Sequence, residues 1–550
     1  MKPIERFKNL IKLDKKDIYQ IILYAIFGGL ISLTLPLGIQ SIVNFLQAGK
    51  ISTSWIVLVL IVVTGVIFVG IFKIMQFRIS ENLQQKIFVR SSIEFAYRFP
   101  KIKFEKLYNQ YPPELANRFF DTISVQKGIS KLLLDISTAF LQIIFGLILL
   151  SLYHPFFIAF GLILSTILYV IFKANYTVGL STSLKESKYK YKVAHWIQEI
   201  ARNHLSFKNE NLFTFSLKKN DELVSEYLTH REKHFTILRR QFIQLVGFKT
   251  IITAGLLIIG GLLVINQQMN IGQFVAAEII ILTIITAVEK LFGGLELFYD
   301  VLTSLEKLGG VVDLELENTS SDKKFEIEEE YLNIELKNIT YKYPESENLV
   351  LKNINLTIKQ GDKIIVEGDN GSGKTSLIRI IAKILEPTSG NLLINQMNGN
   401  KVNLNEYRNK IGHITFNSGT FEGTILENIS FNHPSITKND INEVLKKVKL
   451  TEFVKNLPNG LETMLYTEGK QINSSVVQKI LLARILLMKP KVILLEDSFN
   501  KIEPSQSKEI FNSLMSKNNP ATVLFISNDF NNTENHIRRI TLNNGEIINS

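Results

Sequence analysis

Gly368-Asp369-Asn370-Gly371-Ser372-Gly373-Lys374-Thr375 is the stretch whose reading decides the fold of the C-terminal half of this chain. It fits the pattern GxxxxGK[ST]. It follows an apolar run, Lys363–Glu367, that reads as a buried strand, and it opens a helical pattern over Thr375–Leu385. Glycines at these spacings let backbone N–H groups converge on phosphate oxygens at a helix N-terminus. Lys374 adds a point charge toward the β- and γ-phosphates, and the Thr375 hydroxyl suits Mg²⁺. Ser376 completes the candidate nucleotide-binding set. The expectation is a site for ATP and Mg²⁺.

Outward from this loop, short strands alternate with helices. Leu332–Leu336, Lys363–Glu367, Val492–Leu495 and Val523–Ile526 read as strands. Thr375–Leu385, Ile441–Val448, Val477–Leu487 and Ser505–Met515 read as helices. That alternation predicts an α/β domain over residues 332–550 with a mainly parallel sheet. Residues 308–331, with Glu-Asn-Thr-Ser-Ser-Asp-Lys-Lys inside them, have the polar, turn-prone character of a linker.

The chemistry changes before residue 308. The chain has 550 residues, 46% of them apolar, 36 Phe among them, and a mean hydropathy of +0.14. Those values exclude a disordered chain. The apolar residues concentrate in six nearly uncharged runs: Ile18–Phe45, Trp55–Met75, Leu132–Tyr153, Phe156–Phe172, Leu245–Ile265 and Gly272–Val288. A hydrocarbon core of about 30 Å needs roughly 20 helical residues, so residues 18–307 read as a six-helix membrane domain. The first run is long and follows a charged segment, unlike a signal peptide.

Lys86, Arg90, Arg98, Lys101, Lys103 and Lys106 crowd one loop, and Lys185, Lys188, Lys190, Lys192, Arg231, Arg239 and Arg240 another. The alternate loops are short and almost uncharged. Positive charge stays on the cytoplasmic side, which puts residues 1–17 and the C-terminus there, in the cell (inner) membrane. Lys plus Arg (62) less Asp plus Glu (51) gives +11, which these loops and contact with membrane lipid account for without nucleic acid. Zero Cys excludes disulfides, thiolate metal sites and a Cys nucleophile. Glu278, inside the sixth run, faces either a substrate path or another helix.

Six spans followed by a phosphate-binding loop resemble one half of an ATP-binding cassette (ABC) exporter, over nearly all of the chain. Tyr343, before Pro344, matches the family's adenine-stacking aromatic. Leu385-Glu-Pro-Thr-Ser-Gly390, Phe421-Glu-Gly-Thr-Ile-Leu-Glu-Asn428 and Leu482-Ala-Arg484 also match. The membrane part, with Leu35-Pro-Leu-Gly-Ile-Gln40, is most similar to the type I secretion and peptide-exporting branch. Without Cys, the Cys peptidase domain of many such exporters is not expected. Pro113-Glu-Leu-Ala-Asn-Arg118 resembles the first of the short helices that couple cassette to membrane in this family, and position puts the second near Asn203–Leu212.

Against that resemblance the chain departs at the groups that perform hydrolysis. Phe416 stands where the family has a Gln that touches Mg²⁺ and water, and Phe does neither. Asn473-Ser474-Ser475-Val476 stands where the family's signature has Ser-Gly-Gly-Gln. Glu496-Asp497 reverses the family's Asp-Glu, which gives Glu496 to Mg²⁺ and makes the shorter Asp497 the general base. Asn528 replaces the switch His, and an amide cannot titrate. The resemblance implies a homodimer or a heterodimer with another half-transporter, and a periplasmic adaptor in its secretion branch. Two functions stay open: an ATP-driven exporter half with weak hydrolysis, or a catalytically inactive ATP-binding subunit that regulates or scaffolds a partner.

Overall fold

The computed structural model describes residues 2–47, 53–317, 331–415, 418–527 and 536–549. The chain divides into two compact units. Residues 1–101 and 110–314 form the first; residues 102–109 and 315–550 form the second.

Each of the six apolar runs lies in its own long helix of the first unit. These helices span Lys15–Gln47, Thr53–Lys101, Pro112–Tyr153, Phe156–Arg202, Glu210–Ile265 and Ile271–Val312. Phe156–Arg202, with 47 residues, is roughly 70 Å long at 1.5 Å per residue, so its charged half extends well past an apolar layer. Leu60, Ile61, Ile74 and Phe77 are more than half exposed on the second helix, the inverse of a water-soluble surface. Polar groups instead turn inward. Asn175 donates to Gln244 Oε1 at 2.8 Å, Thr182 meets His234 Nδ1 at 2.8 Å, and Ser183 meets Thr303 at 3.0 Å. Such bonds tie helices together where apolar contact alone does not discriminate between neighbours. Gly179 is part of the same network. A Cβ there would lie 2.4 Å from the ring of Tyr299, whose hydroxyl donates to the Asn175 carbonyl at 3.2 Å. Glu278 is exposed on the last helix rather than packed inside the unit.

The second unit has a six-stranded sheet in the order Glu546–Asn549, Ile537–Asn543, Lys363–Glu367, Thr522–Ile526, Val492–Glu496, Ile411–Ile414. All neighbours are parallel except the first pair. Lys374–Ile381, Ser474–Leu487 and Pro504–Met515 are among its helices. One expectation needs correcting. The strand expected at Leu332–Leu336 runs from Ile334 to Tyr341 and belongs to a separate antiparallel sheet, between Leu351–Ile358 and Ser389–Ile394. The connection from Tyr341 to Leu351 is too short to carry a parallel crossover, which needs a dozen residues or more.

The two segments that resemble coupling helices both lie in the first unit. Pro112–Asn117 is a helix of the first unit. The segment that the cassette unit takes in is residues 102–109, about ten residues earlier. Ile102 bridges to Leu316, Phe104 packs on the cassette core, and Tyr108 stacks on Tyr343 with ring centroids 4.9 Å apart. Three apolar or aromatic anchors lie in Ile102–Tyr108, whereas Pro113–Arg118 offers Leu115 alone as a large apolar residue, and it is buried within its own unit. Near Asn203–Leu212 the chain forms a short 3₁₀ turn, Ser206–Lys208, in the first unit.

Candidate functional site

The phosphate-binding loop leaves a strand that is buried for four of its five residues. Gly368, Gly371 and Gly373 adopt φ of 142°, 86° and 103°, the region open to residues without a side chain. At Gly368 a Cβ would come within 2.2 Å of the Leu542 carbonyl oxygen, and at Gly373 within 2.8 Å of that of Val350. The helix Lys374–Ile381 starts at once, so the loop presents its amides at a positive dipole end. Asp369, Asn370 and Gly371 are exposed at the rim. Lys374 Nζ donates to the Asp369 carbonyl at 2.9 Å and to that of Gly368. Ser372 Oγ is buried with no hydrogen-bond partner among the described residues. A cradle of amides with one ammonium and one unused hydroxyl fits a polyphosphate.

Tyr343 is fixed from three directions. Its hydroxyl meets Ser376 Oγ at 2.9 Å, its ring lies edge-on to Tyr341 at 5.1 Å, and Tyr108 stacks on it. A cleft of about 600 Å³ opens beside it, lined by Lys103, Lys106, Pro344 and Glu386 among others.

Strand Val492–Glu496 ends in the acidic pair. Glu496 is 2% exposed, and both of its oxygens are engaged. His413 Nε2 lies 2.9 Å from Oε1, and Arg379 reaches Oε1 through Nε and Oε2 through a terminal nitrogen, both at 3.4 Å. The geometry follows from register. His413 pairs with Leu494 on the adjacent parallel strand, so it shares a face with Glu496 two residues on. Arg379 comes down onto that face from the helix that follows the phosphate loop. Sequence reasoning missed both partners, although a His inside a buried strand and an Arg inside Leu-Ile-Arg-Ile-Ile signal an interior charge that needs a counter-charge. Of the donors assigned to Mg²⁺, Thr375 stays half-buried at the helix start, while the Glu496 carboxylate is held by a guanidinium and an imidazole. No group of three or more His, Asp or Glu side chains among the described residues is spaced to hold a metal. As arranged here the Glu496 carboxylate is not an open ligand for a divalent cation, which leaves Thr375 as the free protein donor of the pair.

Asp497 follows with φ 44°, a conformation an Asp tolerates. It borders a cavity of about 350 Å³ that Thr415, Ser418, Ser474 and Gln478 also line. Phe416 and Asn528 lie outside the described residues.

The segment Asn473–Val476, which stands where the resemblance puts the signature, begins a helix, Ser474–Leu487. Asn473 is its N-cap, and its side-chain oxygen accepts the Ser475 N–H at 3.0 Å. One amide that a helix start could offer to a phosphate is thereby already used. Farther along, Arg484 joins two stretches that carried the family resemblance. Its Nε donates to the Asn428 carbonyl at 2.7 Å and a terminal nitrogen to Asn428 Oδ1 at 3.0 Å. The guanidinium lies 5.5 Å and 5.3 Å from the ring centres of Phe421 and Phe431. Burial pushes it below the usual guanidinium range. Asn428 itself is fully buried and bonds back to the Phe421 N–H and carbonyl.

Known proteins bear on this geometry. Residues 351–500 match the ABC transporter family. An ATP-dependent lipid A-core flippase of Syntrophus aciditrophicus is 25% identical over 331 residues, 60% of this chain and 54% of that protein. The alpha-hemolysin translocation ATP-binding protein HlyB of Escherichia coli O157:H7 is 26% identical over 308 residues, 56% of this chain and 43% of that one. The chain thus spans about half the length of these relatives. Among solved structures, a bacterial Atm1-family ABC exporter with ATP bound superposes with a TM-score of 0.81 at 16% identity, over 97% of this chain and 94% of the other. The fold is that of an ABC exporter half-transporter: a multi-pass membrane unit of six long apolar helices, followed by an ABC transporter nucleotide-binding domain.

Proposed function

We propose that this chain is one half of a dimeric membrane exporter that binds ATP and hydrolyses it slowly. The observation that carries the reading is the intact phosphate cradle, three glycines at positive φ between a buried strand and a helix, in a chain with six membrane-length helices. Slow hydrolysis is supported by the identities of Phe416, Asn528 and the reversed pair Glu496-Asp497, none of which supplies the group that hydrolysis needs in this family. The capped, side-chain-bearing helix start at Asn473 adds to this. The loop charges favour cytoplasmic termini in the cell membrane. The second reading, an ATP-binding subunit that regulates or scaffolds a partner, is favoured by the same departures.

The test is photolabelling of the purified protein in detergent with an azido-ATP probe. Lys374→Ala removes the ammonium facing the phosphates, and labelling should fall at least tenfold, or by about 1.4 kcal/mol. Equal labelling of mutant and wild type defeats the binding assignment. Vanadate-sensitive turnover in the same preparation separates the two readings: slow turnover supports the exporter, and none at all supports the regulatory subunit.

A further inference from the structure

The surroundings of Glu496 say what form of nucleotide this site takes. Three donors from the protein face that carboxylate. Oε1 lies between His413 Nε2 and Arg379 Nε, and Oε2 faces a second Arg379 nitrogen. The side chain is 2% exposed, and its partners are largely sheltered too, at 12% for His413 and 20% for Arg379. Arg379 is held in turn, its guanidinium 5.6 Å from the Phe104 ring centre. A divalent cation approaching Glu496 has to displace a sheltered guanidinium and then sit beside it, a like-charge contact in a region poor in water. The carboxylate gives such an ion no open edge. With Glu496 withheld, the protein's own share of a Mg²⁺ shell at this loop falls to the one neutral oxygen of Thr375, the rest being left to phosphate and water.

The positive charge that phosphates need is nevertheless present. Lys374 reaches over the loop, and the helix Lys374–Ile381 points its N-terminus at the same place. We propose that this cassette binds nucleoside triphosphate without drawing on a metal ion for affinity, with Arg379 and His413 as positioning residues that withhold Glu496 from metal. This rests on the reading that the loop binds ATP at all.

The experiment is equilibrium binding of a fluorescent ATP analogue to the full chain in detergent, in excess Mg²⁺ and in excess EDTA. The expected dissociation constants differ by less than about threefold. A loss of threefold or more in EDTA overturns the proposal and leaves ATP binding standing. Absence of binding in both buffers overturns the ATP reading itself, and this inference with it. The double substitution Arg379→Leu with His413→Val frees the carboxylate. It should create a preference for the Mg²⁺ complex of more than about tenfold. A folded double variant that stays indifferent to Mg²⁺ removes Arg379 and His413 as the cause. Should that variant not fold, the two wild-type measurements decide alone.

Discussion

Arg484→Ala is the substitution whose consequence the structure fixes best. Two hydrogen bonds to Asn428, at 2.7 and 3.0 Å, come from a charged donor, and each such bond contributes about 1.5–3 kcal/mol. A third, to the Gly419 carbonyl at 3.4 Å, adds less than the other two. The paired rings of Phe421 and Phe431 add about 1 kcal/mol as cation–π partners. Burial opposes these gains, as the downward displacement of the guanidinium's proton affinity records. Truncation also leaves Asn428 Oδ1 with the Phe421 N–H, so that oxygen is not stranded. The net loss should be about 3 kcal/mol, and for a domain of this size that lowers the cassette's unfolding midpoint by roughly 6–12 °C. Scanning calorimetry of the full chain in detergent is the suitable assay. Both tryptophans, Trp55 and Trp196, belong to the first unit, so intrinsic fluorescence would follow the wrong transition. Arg484→Lys keeps the charge and loses the fork, and should fall about halfway. An unchanged midpoint in Arg484→Ala would refute the claim that this node fastens the signature helix to the segment Phe421–Asn428.

Two further outcomes follow from single contacts. Asn473→Ala should cost about 1 kcal/mol by removing the cap on the Ser475 N–H, while Asn473→Ser should be neutral to within a few tenths because Ser caps equally well; calorimetry of the two variants distinguishes a capping role from none. Gly179→Ala places a methyl 2.4 Å from the Tyr299 ring and should destabilise the membrane unit by about 1–3 kcal/mol, read as a lower Trp196 fluorescence midpoint, with Gly247→Ala, where a Cβ meets nothing within 4 Å, as the control.

Much of the architecture was legible because its signals are local. A run such as Leu132–Tyr153 announces a membrane-length helix by composition, and Gly368–Thr375 announces a phosphate loop by residues within one turn of each other. What stayed hidden depends on pairing between distant segments. That Ile334–Tyr341 enters a second, antiparallel sheet depends on its register with Leu351–Ile358, and strand periodicity is the same in either kind of sheet. Pro113–Arg118 carries its likeness to a coupling helix in its own residues, whereas Ile102, Phe104 and Tyr108 gain meaning only from Leu316 and Tyr343, more than two hundred residues away. Arg379 and His413 likewise signal an interior charge in the sequence, but only helix and strand packing names Glu496 as its partner.

The substitutions in the cassette are not scattered. Groups that grip phosphate do so through backbone geometry, and at Gly368, Gly371 and Gly373 that geometry is kept, along with the ammonium of Lys374. Groups that handle water and metal need particular side-chain atoms, and those are the ones replaced: an amide for an imidazole at Asn528, a phenyl ring for an amide at Phe416, a shorter carboxylate at Asp497. The proposed dimer sharpens this contrast. In the family that the resemblance implies, each ATP site takes its phosphate loop from one cassette and its signature from the other. Two copies of this chain would therefore combine both defects in each site. An intact partner would meet the weak catalytic set of this chain in one site and the capped Asn473 helix in the other. On that proposal, each site would lack something that hydrolysis uses in the family, and each would keep a place for the triphosphate. The cradle is formed at Gly368, Gly371 and Gly373 whatever stands at the catalytic positions, so the proposal makes occupancy by nucleotide, more than its turnover, the contribution of this cassette.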